Sequence, residues 1–102
     1  LIVRNLLSNA ITYARDRVRV SATYQGEQHL VLHVDDDGPG VPEQRLEQVF
    51  EPHFRLSGHQ QGYGLGLGIA RNIAHSHGGE VSLQNLRVGG LRVTLYLPRN
   101  AD

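Results

Sequence analysis

Apolar and polar positions alternate along the first third of the chain with two different periods. Residues 1–14 carry apolar side chains at helical spacing, which predicts an amphipathic helix. Residues 18–24 and 30–34 instead alternate apolar with polar side chains, which predicts two β-strands. The turn-forming stretch 25–27 between them favours an antiparallel hairpin.

The last third of the chain repeats this order. Residues 65–77 predict a second long helix, and the glycine pair at 78–79 predicts its C-cap. Apolar alternation over 81–83 and 91–97 predicts a second hairpin, with a tight turn at the glycine pair 89–90.

The middle of the chain is less regular. Residues 36–42 predict a loop from their Gly and Pro content, and Pro42 opens a predicted short helix that continues to about Val49. Residues 51–63 have no apolar period and predict a mobile loop. The order α-β-β-α-α-β-β predicts one α+β domain over 1–102. We expect a two-layer sandwich with a mainly antiparallel, mixed sheet and helices on one face.

Composition narrows the possible functions. The 102 residues include 39% hydrophobic and 20% charged residues, which suits one small globular domain. The formal net charge is zero and no basic run occurs, which argues against a nucleic-acid partner or direct membrane contact. The lack of cysteine excludes disulfides and thiolate chemistry. The lack of methionine and the uncapped first helix lead us to expect a fragment of a longer protein.

The first helix carries an uncharged polar face. Asn5, Asn9 and Thr12 lie at i, i+4 and i+7 and therefore share one side of the helix, with Ser8 and Tyr13 beside them. Amide oxygens ligate Mg²⁺ without adding negative charge near phosphates. The alternative is a pair of asparagines that bond neighbouring loops.

Two further segments have the composition of ligand-binding loops. Residues 36–40 (DDGPG) follow a predicted strand, so that a carboxylate there is placed to accept from a purine amine. Four glycines alternate through 62–68 before the second helix, where backbone N–H groups favour an anion. This run lacks the Lys and Ser/Thr of a P-loop and does not match a dinucleotide fingerprint. The alternatives are an acidic turn and a flexible hinge.

Four segments together resemble the ATP-binding catalytic domain of bacterial sensor histidine kinases. Residues 5–10 (NLLSNA), 36–40 (DDGPG), 50–55 (FEPHFR) and 62–70 (GYGLGLGIA) resemble its N box, first glycine box, F box and second glycine box. This domain belongs to a superfamily with DNA gyrase, a heat-shock chaperone and the MutL proteins. The resemblance implies the Bergerat ATP-binding fold. The short hairpin and the short segment before the second glycine box are most similar to membrane-bound sensors of the PhoQ type.

The resemblance also implies ATP and Mg²⁺ as ligands and gives roles to individual residues. Asn9, with Asn5 and Gln61, holds Mg²⁺, Asp36 accepts from the adenine amine, and residues 52–63 form the ATP lid. No catalytic side chain is implied within the chain, because the acceptor histidine and the general base lie upstream of it. The remaining implied nucleotide contacts are Tyr13, Gly38, Gly40, Arg55, Gly62, Gly64, Leu65 and Gly66.

The chain departs from the family pattern at three positions. Thr12 stands where the family usually has Lys or Arg, Gly68 where it has Ala or Ser, and His53 where it has an apolar or aromatic residue. These departures bear on nucleotide affinity.

The resemblance implies a kinase whose γ-phosphoryl acceptor is a histidine on a separate dimerisation domain of the same sensor protein. Its further partner is a cognate response regulator, and we expect a homodimeric parent in the bacterial inner membrane with this domain in the cytoplasm. Three alternatives stay open: a gyrase-like or chaperone-like ATPase, an anti-sigma-type serine kinase, and a degenerate domain that has lost catalysis. The ATPases have a Glu where this chain has Asn5, which disfavours hydrolysis.

Overall fold

The computed structural model describes residues 2–26, 29–50 and 64–98 of the chain. Its regular elements follow the order that the apolar periods predict. They are α1 (Ile2–Tyr13), β1 (Val18–Gln25), β2 (His29–Asp36), α2 (Gly64–Ser76), β3 (Glu80–Asn85) and β4 (Leu91–Pro98).

The four strands form one sheet in the order β1-β2-β4-β3. Each described pairing is antiparallel: Val34 of β2 lies opposite Val20 of β1 and Val93 of β4, and Val93 lies opposite Leu83 of β3. Successive side chains of a strand point to opposite faces. The buried valines and leucines therefore share one face of the sheet, and both helices pack there. The predicted two-layer α+β fold is confirmed.

A single hydrophobic core joins the helices to this face. α1 contributes Leu6 and Ala10, and α2 contributes residues one turn apart along its buried side. Each large apolar side chain buried in this way stabilises the fold by about 1.5–3 kcal/mol. The remaining buried apolar residues are Val34, Val41, Leu67, Ala70, Ala74, Val81, Leu91, Val93 and Leu95.

The end of α2 has the predicted glycine cap. Gly78 has φ +80°, a left-handed conformation that costs little only for glycine. Its N–H donates to the carbonyl of His75 (3.0 Å), and the N–H of Gly79 donates to the carbonyl of Ala74 (2.7 Å). This pair of bonds is a Schellman motif, and it turns the chain directly into β3.

The predicted short helix from Pro42 to Val49 is wrong in type. The chain forms two 3₁₀ turns instead, Glu43–Arg45 and Gln48–Phe50. Pro42 has an extended conformation (φ −53°, ψ 139°), and the N–H of Phe50 donates to the carbonyl of Glu47, three residues back. So few residues cannot nucleate an α-helix without strong packing along one face. Among the described residues, no helix has both the length and the apolar character needed to cross a membrane.

Candidate functional site

Asp36 is a buried carboxylate at the end of β2. The strand continues through this residue, which the sequence places in the following loop, so its side chain shares the helix-facing side with Val34. Only 4% of Asp36 is exposed. Its Oδ1 accepts the N–H of Gly38 (2.8 Å) and of Leu91 (3.4 Å), whereas Oδ2 accepts no hydrogen bond from the described residues. One carboxylate oxygen is therefore held in place and the other is available to a ligand.

The environment of Asp36 sets its protonation. Burial raises the pKa of the Asp36 carboxyl, and the neighbouring carboxylates of Asp37 and Asp35 act in the same direction. The two backbone N–H groups oppose this effect without cancelling it. A polar group with a raised pKa at a buried strand end is a functional-site candidate.

Gly38 allows the loop after β2 to lie directly against α1. A Cβ built on Gly38 overlaps the backbone carbonyl of Tyr13, the last residue of α1. It also lies 3.1 Å from Oδ1 of Asp36. Any side chain at this position therefore separates the helix end from the Asp36 carboxylate. The structure thus brings Tyr13, Asp36 and Gly38 together.

Asn85, at the end of β3, holds the other side of the same loop. Its Oδ1 accepts the N–H of Val41 (2.9 Å), and its Nδ2 donates to the Val41 carbonyl and to Oε2 of Glu43 (2.9 Å). Gly40 has φ +75°, and a Cβ on it lies 2.7 Å from Oδ1 of Asn85. Sequence reasoning missed Asn85, because its partner Val41 lies 44 residues away and no local motif marks the pair.

Asp37 has a structural role that its neighbour does not share. Its Oδ1 accepts the N–H of Arg15 (2.7 Å) and of Asp16 (3.0 Å), so it fastens the chain that leaves α1 to the end of β2. The N–H groups of Asp16 and Arg17 are the main reason that the pKa of Asp37 is lowered. The pKa values of the adjacent Asp36 and Asp37 are therefore shifted in opposite directions, and of the two carboxylates only that of Asp36 has an oxygen without a hydrogen bond from the described residues.

The polar face of α1 is unevenly exposed, since Ser8 and Thr12 lie at the surface. Asn5 is half-buried and Asn9 follows one turn later on the same helix. Thr12, at the position where the resemblance leads us to expect a cation, donates from Oγ1 to the carbonyl of Ser8 at 2.9 Å. Its hydroxyl is therefore engaged within its own helix.

Gly64, Leu65 and Gly66 form the first turn of α2. The first N–H groups of a helix have no acceptor within it, and its positive dipole end favours an anion. Leu67 is fully buried and anchors this turn in the core. The predicted contacts Arg55, Gln61 and Gly62 lie outside the described residues, as does the predicted lid at 52–63.

A cleft of about 340 Å³ lies near the same end of the sheet, lined in part by Arg17, Arg19 and the exposed Val88. Arg92 on its wall pairs with Asp35 through two hydrogen bonds of 2.8 and 2.9 Å. Asp35, Asp36 and Asp37 also line this cleft, which therefore borders the end of β2. Within residues 2–26, 29–50 and 64–98, no three His, Cys, Asp or Glu side chains cluster as metal ligands.

Residues 1–101 match the model of the family described as histidine kinase-, DNA gyrase B- and HSP90-like ATPase. The chain belongs to this family. It is 71% identical over 97 residues to the sensor histidine kinase GtrS of Pseudomonas aeruginosa, covering 95% of this chain and 20% of that protein. It is 50% identical to the sensor protein kinase CarS of the same species, covering 92% of the chain and 21% of the relative.

Solved structures with the same fold agree with these relatives. The mycobacterial sensor histidine kinase MprB superposes with a TM-score of 0.84 at 31% identity, covering 95% of this chain and 69% of that one. Full-length ShkA in complex with AMPPNP superposes with a TM-score of 0.82 at 26% identity, covering 95% and 20%.

The resemblance to histidine kinase ATP-binding domains is thus confirmed, and it supports ATP binding and a role in kinase catalysis. The narrower likeness to PhoQ stays a prediction. The chain spans about a fifth of the length of GtrS and CarS.

Proposed function

We propose that this chain binds Mg-ATP and presents the γ-phosphoryl group to a histidine on a separate dimerisation domain of the same sensor kinase. The observation that carries the proposal is the buried carboxylate of Asp36, whose Oδ1 is fixed by two backbone N–H groups and whose Oδ2 is open. A fixed acceptor in a dry site discriminates strongly for a ligand that donates to it.

Adenine fits this acceptor by its chemistry. Its exocyclic amine donates a hydrogen bond, and the open Oδ2 of Asp36 accepts one. Guanine presents a carbonyl oxygen at the corresponding position, which a carboxylate repels. Gly38 keeps the loop close to both Asp36 and α1, since a Cβ there overlaps the Tyr13 carbonyl and lies 3.1 Å from Oδ1 of Asp36. The adenine pocket is therefore proposed at Asp36, Gly38 and Gly40.

The phosphates are proposed to lie between α1 and the start of α2. The N–H groups of Gly64, Leu65 and Gly66 favour anions, and Asn5, Asn9 and Gln61 are the proposed ligands of Mg²⁺. Neutral amide oxygens suit a hard cation that is already bound to phosphate oxygens. When bound, Mg²⁺ neutralises charge on the phosphates and stabilises the charge that develops during transfer. Tyr13 and Arg55 complete the proposed contacts.

The chain contributes positioning and not covalent chemistry to the proposed reaction. Asn5 has no basic lone pair with which to activate water, so that the site favours transfer over hydrolysis. The acceptor histidine, the general base and the dimer interface belong to the remainder of the parent protein. A cognate response regulator then receives the phosphoryl group. We propose an inner-membrane parent with this domain in the cytoplasm.

Calorimetric titration tests the binding part of this proposal. We expect saturable ATP binding that strengthens with Mg²⁺, and weaker binding of GTP. Replacement of Asp36 by Asn removes the adenine preference, while the exposed control Asp16→Asn leaves it unchanged. Equal affinity of the wild-type chain for ATP and GTP contradicts the role of Asp36.

Transfer requires a second experiment. The chain is mixed with the separate dimerisation domain of its parent kinase and ATP labelled at the γ-phosphate. Acid-labile label on that domain supports a histidine kinase. Steady release of inorganic phosphate without labelled protein favours the ATPase alternative, and acid-stable label on a serine favours the serine kinase.

A further inference from the structure

Arg71 on α2 contacts three residues from two other parts of the fold with one guanidinium group. Its Nε donates to Oε1 of Glu80 on β3 and its Nη1 donates to Oε1 of Glu47, both at 3.0 Å. The guanidinium carbon lies 4.2 Å from the centre of the Phe50 ring. Glu47 and Phe50 belong to the second 3₁₀ turn and its approach, so Arg71 ties this turn to α2 and to the sheet.

The backbone of the same 3₁₀ turn touches α2 one helical turn earlier. A Cβ built on Gly68 overlaps the carbonyl oxygen of Phe50. Phe50 therefore contacts α2 in two ways. Its carbonyl packs against Gly68, where a side chain would overlap it, and its ring lies beneath the Arg71 cation. The departure of Gly68 from the family pattern has its physical reason in this contact.

These contacts fix orientation more than they add stability. The Arg71 side chain is 24% exposed and its partner Glu47 is 80% exposed. Ion pairs between exposed side chains contribute little to folding, because solvent screens them. A planar guanidinium with donors in two directions and an aromatic face beneath it nevertheless specifies one geometry closely.

We propose that Arg71 is a positioning residue for the phosphate side of the nucleotide site. It acts through the backbone: it holds α2 against β3 and the second 3₁₀ turn, and so fixes where the N–H groups of Gly64, Leu65 and Gly66 stand relative to Asp36. The inference rests on the proposed nucleotide function. It assigns no contact between Arg71 and the nucleotide. We call the contacts of Arg71 with Glu80, Glu47 and Phe50 the tether. Loss of the tether displaces the backbone N–H groups that face the phosphates and leaves the adenine pocket in place.

The test compares ATP with adenosine, which lacks phosphates. Arg71→Met keeps an unbranched apolar side chain and removes the guanidinium group with its hydrogen-bond donors and its charge. We expect the dissociation constant for ATP to rise about tenfold, the size of one positioned charged hydrogen bond, while that for adenosine changes less than about twofold. Arg71→Lys restores the charge without the planar set of donors and is expected to recover only part of the lost ATP affinity.

Matched controls separate positioning from general destabilisation. Arg87, exposed in the turn between β3 and β4, forms no ion pair with the described residues, and Arg87→Met is expected to change neither affinity. Glu47→Gln removes the charge of one partner of Arg71. It provides the test of positioning if Arg71→Met does not fold. We expect it to lower ATP affinity in the same direction by a smaller factor.

Two results overturn the inference. A folded Arg71→Met chain, or a folded Glu47→Gln chain if Arg71→Met does not fold, that binds ATP as the wild type does shows that the tether positions nothing. Equal losses for ATP and adenosine show a general structural role. Both results leave the proposed function standing. A wild-type chain that binds neither ligand removes the proposed function, and the inference with it.

Discussion

The N–H of Leu91 points at the same carboxylate oxygen of Asp36 that accepts the N–H of Gly38, although Leu91 lies 55 residues further along the chain. The start of β4 thus helps to aim the carboxylate at the end of β2. Gly90 permits this approach, because a Cβ at that position overlaps the backbone carbonyl of Asp36. The second hairpin therefore belongs to the candidate site as well as to the sheet.

Replacement of Asp36 by Asn is expected to separate function from stability. ATP affinity falls about 10- to 100-fold, because one acceptor for the adenine amine becomes partly a donor. The folded domain is expected to be at least as stable as the wild type at neutral pH, since burial of the Asp36 charge opposes folding. Urea unfolding and calorimetric titration of the two proteins measure the two effects.

The pH dependence of the free energy of unfolding provides a second test of the buried Asp36 carboxyl. The pKa of Asp36 is raised by folding from its ordinary value of 3.8, so the folded state binds the proton more tightly than the unfolded state. This group therefore lowers stability as the pH rises from 3.8 to the folded pKa, and its effect is constant above that. We expect this component of the pH profile to be absent from Asp36→Asn. An Asn variant less stable than wild type at pH 7, with unchanged ATP affinity, contradicts both expectations.

Gly68→Ala introduces one of the two residues, Ala or Ser, that the family resemblance leads us to expect at this position, and it is expected to destabilise this chain. Alanine gains about 1 kcal/mol over glycine within a helix. The new methyl group, however, overlaps the Phe50 carbonyl, and overpacking of this kind costs about 1–3 kcal/mol. We expect a net loss of up to about 2 kcal/mol in the free energy of unfolding. The exposed control Asn72→Ala, on the same helix, should be neutral or slightly stabilising.

Asp37→Asn is expected to loosen the connection between α1 and β1. The Asp37 carboxylate accepts N–H groups of Arg15 and Asp16, and its pKa is lowered. Its stabilising contribution is therefore complete above pH 3.8 and is lost as the pH falls through the lower, folded pKa. The variant should lack this part of acid destabilisation and show faster hydrogen exchange at Arg15 and Asp16. Asp16→Asn, which keeps both backbone donors, is the control, and equal exchange in the two variants counts against the role.

Local sequence patterns account for most of the fold. The apolar period of α1, the alternation along each hairpin and the Gly78 cap depend on residues close in sequence, and each was predictable. The segment after Pro42 was not, because so short a stretch has no extended period and its conformation depends on packing against the core. Leu46 and Phe50 both pack there.

The candidate site was predictable only in part, and for a related reason. Asp36 and Gly38 lie in a recognisable motif, but neither the different roles of Asp36 and Asp37 nor the tether at Arg71 follows from it. Both depend on partners that folding brings from elsewhere: Asp16 lies 21 residues from Asp37, and Glu47 lies 24 residues from Arg71. The residue types indicate that these polar side chains form hydrogen bonds or ion pairs. They do not indicate which partners the side chains find.

Asn85→Ala is expected to weaken both the fold and nucleotide binding, because Asn85 joins β3 to the loop that carries Gly38 and Gly40. The change leaves the Val41 N–H without the Asn85 oxygen, and loss of a partner for a partly buried donor costs about 1–3 kcal/mol. The loop is then held at its Asp36 end alone. Gln84→Ala, an exposed change on the same strand, should alter neither property.

The relative size of the two effects of Asn85→Ala identifies what Asn85 does. We expect ATP affinity to fall several-fold even at a temperature where the variant remains fully folded by circular dichroism. We expect adenosine to show the same loss, because the displaced loop borders the adenine pocket and not the proposed phosphate donors of α2. This is the reverse of the pattern expected for Arg71→Met. A loss confined to ATP would instead place the influence of Asn85 on the phosphate side and would contradict the assignment of this loop to adenine.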